Sequence, residues 1–393
     1  MTKIINPAPE TSANIKVIGI GGSGRNAINH MINNKTHGVD FIAINTDTQD
    51  LVNCLAEKKI HIGKNLTRGL GAGMDPDVGR RAAEETREEI TESIKGADMV
   101  FITGGFGGGT FTGASSVVAN ICKNEGILTI AVSTKPFFFE GNQRAKIAEE
   151  GIQELEKEVD ALITISNDRL LSISEKSTTI TEAFAMCDEI LRQAVEGISE
   201  IIRLSGRMNL DFNDIKRILK DSGTALFGVG RATGDDRAIE AANFAIANPL
   251  LDLSINNATG LLYVVFGNED LTLSETAEAS KIITQSVSKD AKVIFGIYND
   301  DTLKKDEIKI TVIATGFPLD GINKSTINIE KKMQAKKVDT PQKKDNDEAD
   351  IQEIDKLDTA SIRNINTKPI LTEDEDDDDT WNSLPSFLQR KKK

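Results

Sequence analysis

Nearly continuous apolar runs at 15–20, 41–45, 99–103, 128–133 and 161–165 alternate with stretches of helical, charge-bearing pattern. Short runs without polar alternation suit strands buried on both faces. The intervening stretch 77–95 is charged on one side and suits a surface helix. Strand and helix in alternation predict a parallel, doubly wound α/β sheet. From 181 to 204 the pattern changes. Ala183, Phe184, Cys187, Ile190, Leu191, Ala194, Val195, Ile198, Ile201 and Ile202 recur at helical spacing, which gives a helix of roughly 36 Å at 1.5 Å per residue. A helix so long and so apolar is expected to run between two domains. Beyond it, 260–267, 293–298 and 308–315 read as strands of a second α/β unit. After Gly316-Phe317-Pro318 the periodicity stops, and Lys, Asp, Asn, Gln and Thr dominate. That composition reads as a disordered linker. It ends in the acids 373–379, and the last residues, TWNSLPSFLQRKKK, regain apolar side chains around Trp381.

Charge and composition narrow the chemistry. The formal net charge of −14 over 393 residues argues against general binding to nucleic acid or an anionic membrane. A bound anion would need local, preorganised donors. No apolar run approaches the roughly 20 residues of a membrane span, and the first residues lack the order of a signal peptide. Cys54, Cys122 and Cys187 show no CxxC spacing and read as core thiols of a reducing cytoplasm. His30, His37 and His61 form no metal motif.

Two glycine-rich loops carry the chemistry. The first, Gly19-Ile20-Gly21-Gly22-Ser23-Gly24, follows a strand, precedes the helical pattern 26–33 and matches GxGxxG. Such a loop lets the backbone approach a diphosphate at a helix N-terminus. Asp47 lies where a dinucleotide fold wants an acid, so this loop alone favours NAD or FAD. The second, Gly104-Gly105-Phe106-Gly107-Gly108-Gly109-Thr110-Phe111-Thr112-Gly113, follows the run 99–103 and precedes the helical stretch 114–123. Consecutive amides in such a loop cradle an anion, and the threonines add donors. A simple dinucleotide domain has no second loop of this kind, and no Gly-Lys-Ser/Thr follows to make a Walker motif.

GGFGGGTFTG resembles the signature of the tubulin/FtsZ family, written there as GGGTGTG. The neighbouring motifs agree in order. Gly19 to Asn26 resembles the family's first phosphate loop, Asn45-Thr46-Asp47 its NTD turn, and Gly69-Leu70-Gly71-Ala72-Gly73 its third loop. Lys135-Pro136-Phe137 through Glu140-Gly141 and Arg144 resembles the segment at the ribose and phosphate. Asn209-Leu210-Asp211-Phe212-Asn213-Asp214 resembles the synergy loop, and Leu384-Pro385-Ser386-Phe387-Leu388 resembles the tail peptide. The chain is thereby identified as a member of the FtsZ family of tubulin-like division GTPases.

The resemblance implies a tubulin-like α/β fold. A doubly wound nucleotide-binding domain (14–178) is joined by a central helix (179–206) to a second α/β domain (207–317). A disordered linker (318–380) and a terminal partner-binding peptide (381–393) follow. It implies GTP or GDP as ligand, with Mg²⁺ expected alongside, bridging phosphates and held mostly by phosphate and water. The phosphates and sugar would meet Gly21, Gly22, Ser23, Gly24, Arg25, Asn26, Gly71, Ala72, Gly107, Gly108, Gly109, Thr110, Phe111, Thr112, Gly113, Glu140 and Arg144. Arg144 suits a phosphate or ribose oxygen by its fork of donors, and Glu140 would accept from a ribose hydroxyl or hold Arg144. Asp188 occupies a position resembling the family's base contact, with Glu189 as fallback and Asn167 as companion. A carboxylate can accept from guanine N1–H and the N2 amino group together and rejects adenine.

Read locally, Asp211 or Asn213 caps a helix over 214–221. In the family this loop enters the nucleotide site of the next subunit, where Asp211 and Asp214, beside Asn209, would orient the attacking water. That implies a head-to-tail homopolymer. It also implies a cytoplasmic protein at the mid-cell division ring, tethered through Leu384, Pro385, Phe387 and Leu388 to membrane-bound division proteins. Three departures from the pattern bear on turnover. Phe111 stands where the signature has glycine, Ser23 replaces a glycine, and Ser116 replaces the usual proline. A positive φ at Phe111 would cost roughly 1–2 kcal/mol, and close approach to phosphate would force its ring aside. GTP binding is expected to survive with reduced hydrolysis. The competing classes are a GTP-binding scaffold that barely hydrolyses, and a dinucleotide-dependent oxidoreductase.

Overall fold

A sheet whose centre is buried on both faces needs strands with no polar side, and the apolar runs supply them. A computed structural model describes residues 13–175, 177–204, 206–247, 255–300 and 302–317. The strands are β1 (Ile15–Ile20), β2 (Asp40–Asn45), β3 (Lys58–His61), β4 (Met99–Gly105), β5 (Leu128–Lys135), β6 (Ala161–Ser166), β7 (Gly223–Thr233), β8 (Gly260–Gly267), β9 (Lys292–Asn299) and β10 (Glu307–Thr315). In the first domain the order β3-β2-β1-β4-β5-β6 is parallel throughout. The chain reverses its direction of travel across the sheet between β1 and β4. Crevices form at such switch points, outside the carboxyl ends of the strands. β6 meets β7 through two residue pairs, Ala161–Gly223 and Leu162–Thr224. The second domain is mixed: β7 and β8 flank β10 antiparallel, and β9 runs parallel to β8.

The helices are α1 (Gly21–Asn33), α2 (Thr48–Val52), α3 (Lys64–Thr67), α4 (Pro76–Glu85), α5 (Arg87–Ile94), α6 (Thr110–Asn124), α7 (Asn142–Glu156), α8 (Asn167–Ile173), α9 (Ile180–Arg203), α10 (Phe212–Leu219), α11 (Arg237–Ile246) and α12 (Leu273–Gln285). The long helix is α9, within one residue of its expected bounds. Thr179 starts it: its hydroxyl accepts from Glu182 N–H, and the Glu182 carboxylate accepts from Thr179 N–H. Its apolar face joins the domains. Leu191, Val195 and Ile198 belong to one core with Ile130 and Ile163 of the first domain and Leu262 and Val264 of the second. Each such side chain, fully buried, contributes about 1.5–3 kcal/mol.

The helix expected over 77–95 is two helices. They break at Thr86, whose hydroxyl donates to Ala82 O and accepts from Gly63 N–H. β3 and β7 were not foreseen as strands. The linker 318–380 and the peptide carrying Leu384, Pro385, Phe387 and Leu388 lie outside the described residues.

Candidate functional site

Both glycine loops end at the switch point, where α1 leaves β1 and α6 leaves β4. Gly24 lets α1 sit directly on the strand ends. A Cβ there would lie 2.7 Å from the carbonyl carbon of Gly19 and 2.8 Å from Thr103 O. The loops are tied together by Ser23, whose Oγ accepts from Gly105 N–H at 2.6 Å. Its own proton stays available for a ligand oxygen. The Thr46 and Thr110 hydroxyls share a hydrogen bond of 2.7 Å.

Between the loops lies a cleft of about 450 Å³. Gly21, Gly22, Ser23 and Asn26 border it from the first loop, Ala72 from the third, and Gly108, Gly109, Thr110 and Phe111 from the second. Glu140, Arg144, Asn167 and Asp188 complete the expected set that the fold gathers here. Gly24, Arg25, Gly71, Gly107, Thr112 and Gly113 do not border it. Arg25 pairs with Asp50 at 2.8 Å. Gly71 donates to Thr46 O, and Gly107 N–H donates to Thr112 Oγ1 at 3.1 Å. Gly113 packs against Pro76 of α4.

The helix ends show what the cleft accepts. Side chains cap α4, α9, α10 and α12, and α5 and α11 carry acids in their first turns. Among the described helices of eight or more residues, three have neither device: α1, α6 and α7. The first turns of α1 and α6 border the cleft, and the first turn of α7 supplies Arg144. Uncapped N-termini present free N–H groups and partial positive charge. A protein of net charge −14 therefore holds a local site for an anion of several phosphates.

The opposite wall suits a base. Asp188 faces the cleft from α9, and burial pushes its carboxyl up to about 7, against the pull of His30 and Arg25. Glu189 turns away. Its carboxylate bonds His30 at 2.8 Å and Arg192 at 2.7 Å, and these partners hold it at about 2 against its own burial. Asn167 is buried, and its Oδ1 accepts from Cys187 Sγ. Burial pushes the Cys187 and Cys122 thiols up to about 12, so both are inert core groups at neutral pH. At the rim Glu140 pairs with Arg144 at 3.1 Å and also accepts from Phe137 N–H.

The acids of the synergy-like loop lie elsewhere. Asp211 caps α10, accepting from Asp214 N–H at 2.8 Å, and Asp214 returns the contact to Asp211 N–H. Each carboxylate gives one oxygen to the cap and keeps the other. The Asn209 side chain accepts from Gly206 N–H. The loop is fixed to β9 by the Met208–Ile297 bridge and by Leu210 N–H donating to Tyr298 Oη. It follows the C-terminal end of α9, whereas Asp188 sits in that helix's first half. From Asp188 to Arg203 the helix alone rises about 22 Å.

Residues 14–175 match the family model described as Tubulin/FtsZ family, GTPase domain. Residues 223–318 match that of the FtsZ family, C-terminal domain. The chain belongs to the tubulin/FtsZ family. It is a GTPase, and guanine nucleotide is its ligand class. FtsZ of M. jannaschii, solved as an empty dimer, is 43% identical, with a TM-score of 0.73 over 78% of this chain and 89% of that one. CetZ2 from Haloferax volcanii, solved as a GTPγS-bound protofilament, shares the fold at 18% identity and TM-score 0.68, over 83% of this chain and all of that one.

Against the tubulin/FtsZ signature, Phe111 is the conspicuous departure; it carries no positive φ, and its ring is turned aside into the core. It is the second residue of α6 and is absent from the positive-φ residues. Its amide borders the cleft near Gly21, while its ring is buried, 2% exposed. The backbone-strain argument for reduced hydrolysis therefore does not apply at Phe111. Asp47, the acid that suggested a dinucleotide, is occupied in capping α2 by accepting from Gln49 and Asp50 N–H. Sequence reasoning missed Met74, Phe106, Thr134 and Phe184 of the lining. In the sequence Phe184 is one more member of the apolar stripe of α9; only the structure shows it partly exposed. As for Mg²⁺, no group of three or more His, Cys, Asp or Glu side chains that could hold an ion occurs among the described residues. The cleft fits an ion that arrives on phosphate oxygens and water, with Thr110 and Ser23 as neutral neighbours.

Proposed function

We propose that this GTPase assembles head to tail into filaments, and that Asp211 and Asp214 of one subunit complete hydrolysis in the cleft of the next. The observation that carries this reading is the separation of the two half-sites along α9. Acids beyond the end of a rigid helix that rises about 22 Å from Asp188 to Arg203 cannot reach the cleft within one copy. A second copy placed in line brings them together. Asp188 and Asn167 would hold the guanine, Arg144 and Glu140 the sugar and phosphate edge, and the two glycine loops the phosphates. The free oxygens of Asp211 and Asp214 would orient water toward the terminal phosphate. Mg²⁺ bound with the nucleotide would neutralise phosphate charge.

Exposed apolar side chains support an end-to-end contact. Phe138, Phe139 and Leu70 are exposed in the segments that form the cleft rim. Leu204, Met208 and Leu273 are exposed around the acid loop, where Leu273 lines a hollow with Arg207, Leu271 and Ile297. The M. jannaschii FtsZ compared above is itself a dimer. Phosphate release per subunit should rise steeply with protein concentration, in parallel with GTP-dependent sedimentation. Leu273→Glu should abolish both while GDP affinity stays within about twofold, since that residue is remote from the cleft. Release linear in concentration, or assembly by Leu273→Glu, would count against the shared site.

Asp188 gives the binding step a pH signature. Its carboxyl sits near 7 when the cleft is free, and pairing with guanine favours the ionised form, so binding releases a proton. Affinity therefore strengthens as pH rises toward 7 and levels off above it. GDP should bind about tenfold more weakly at pH 6 than at pH 8. Calorimetry in buffers of different ionisation heat reads the proton directly. Equal affinities at the two pH values, or an unchanged pH profile in Asp188→Asn, would exclude this contact.

Placement at a mid-cell division ring, with tethering of the terminal peptide to membrane-bound partners, follows the family resemblance and belongs to the same proposal. No described helix is long and apolar enough to cross a membrane. The scaffold reading is weakened by the helical backbone at Phe111. The dinucleotide reading is set aside with the capping role of Asp47.

A further inference from the structure

We propose that Phe106 and Phe111 are positioning residues that hold the second glycine loop in its binding shape before nucleotide arrives. The inference rests on the reading that the phosphates lie on this loop. A run of glycines has many conformations to lose, and ordering it on binding weakens affinity. Here the run 107–110 is bracketed by two buried rings. Phe106 is 3% and Phe111 2% exposed, and their rings meet edge to face with centroids 4.9 Å apart. Phe106 is also anchored through its main chain, since its N–H donates to Thr134 O of β5 at 2.9 Å.

The surroundings are cut to fit the rings. A Cβ on Gly104 would overlap the Phe111 ring. A Cβ on Gly151 of α7 would stand 3.2 Å from Cδ1 of Phe106. Gly104 thus makes room for the Phe111 ring, and Gly151 makes room first for the Thr112 methyl, which such a Cβ would overlap, with the Phe106 ring beside it. The second contact reaches α7, the helix that carries Arg144. A Cβ on Gly107 would come within 2.9 Å of Arg144 O, so the loop backbone lies directly on the first turn of that helix. The ring pair therefore fixes the amides of 108–110 and the Arg144 backbone in one rigid arrangement. Rigidity established beforehand raises affinity without any new ligand contact.

The test is hydrogen exchange across 104–113, with and without GDP, in the full-length wild type, Phe111→Ala, Phe106→Ala and the size-conserving Phe111→Leu. GDP affinity, KM and kcat are measured at a temperature where circular dichroism shows each variant folded. In the alanine variants, free-state exchange of the loop should rise at least about tenfold, with the rest of the chain unchanged. GDP affinity should fall roughly 10- to 100-fold. KM should rise in step while kcat falls less than about threefold, and Phe111→Leu should recover most of the loss. If the alanine variants do not fold, Phe111→Leu and Phe106→Leu carry the same comparison at smaller amplitude. Affinity within twofold of wild type, or exchange that rises equally everywhere, overturns the proposal. If Gly108→Ala, whose added Cβ meets nothing within 4 Å in the free protein, binds GDP as tightly as the wild type, the phosphates lie elsewhere and the cleft reading falls with it.

Discussion

Asp214→Ala should turn over GTP roughly 10²–10⁴-fold more slowly than wild type, the range for losing a positioned acid–base group, while binding GTP with unchanged affinity. The split follows from geometry. Asp214 lies beyond one end of α9 and Asp188 near the other, so removing the first cannot disturb the base contact. The cap of α10 is not lost, because Asp211 still accepts from the residue 214 N–H. The stability change should therefore stay below about 1 kcal/mol, at the low end for a capping residue. Mixing sharpens the test. Asp214→Ala keeps an intact cleft, and Asp188→Ala keeps an intact acid loop. Each alone should be nearly inactive, and a mixture should regain phosphate release at junctions that pair the two intact halves. Two inactive variants with no recovery on mixing would place catalysis within a single copy, and wild-type turnover in Asp214→Ala would remove that residue from catalysis.

Phe111→Gly should destabilise the protein by about 4–6 kcal/mol, although it restores the residue that the family signature has. A fully buried phenylalanine cut to alanine costs about 3–5 kcal/mol, and glycine in a helix costs up to about 1 more. The surroundings cannot collapse onto the gap, because Gly104 beneath the ring has no side chain to fill it. Equilibrium unfolding in urea without nucleotide reads the loss directly. A gain in stability, or no change, would mean that the ring is not a core element. In this chain the signature position has changed its role: the amide remains at the cleft, and the side chain has been given to the core.

The sheet and α9 were legible because their burial is uniform. Strands buried on both faces, such as β1 and β4, read as unbroken apolar runs, and a helix packed between two domains reads as a long stripe. β3 was not legible because only Ile60 of its four residues is buried. β7 was hidden by its glycines. Gly228 and Gly230 let α11 lie so close that a Cβ on either would strike the carbonyl oxygen of Ala245 or Ala241. That is a packing requirement with no periodicity. In the site, the loops were legible because an anion cradle needs glycine at fixed places. The direction of a side chain was not. Nothing in the order of Asp188 and Glu189 says which faces the cleft, and nothing in Phe111 says that its ring turns inward. Those outcomes depend on neighbours far apart in the chain, such as His30, Gly104 and Gly151.

The two residue pairs that join β6 to β7 have a mechanical consequence. Elsewhere a ladder of five or more pairs resists bending between neighbouring central strands, as between β4 and β5 or β7 and β10. At Ala161–Gly223 and Leu162–Thr224 the ladder is brief and lies at one end of β7. The sheet is therefore two stiff plates with a compliant seam, backed by α9 as a common spine. Relative motion of the plates would be taken up at this seam, against the hydrogen bonds that Asp160 and Glu156 accept from Asp221, Ser222, Gly223 and Thr224. The plates would then swing about a helix whose two ends border the nucleotide and lead into the acid loop.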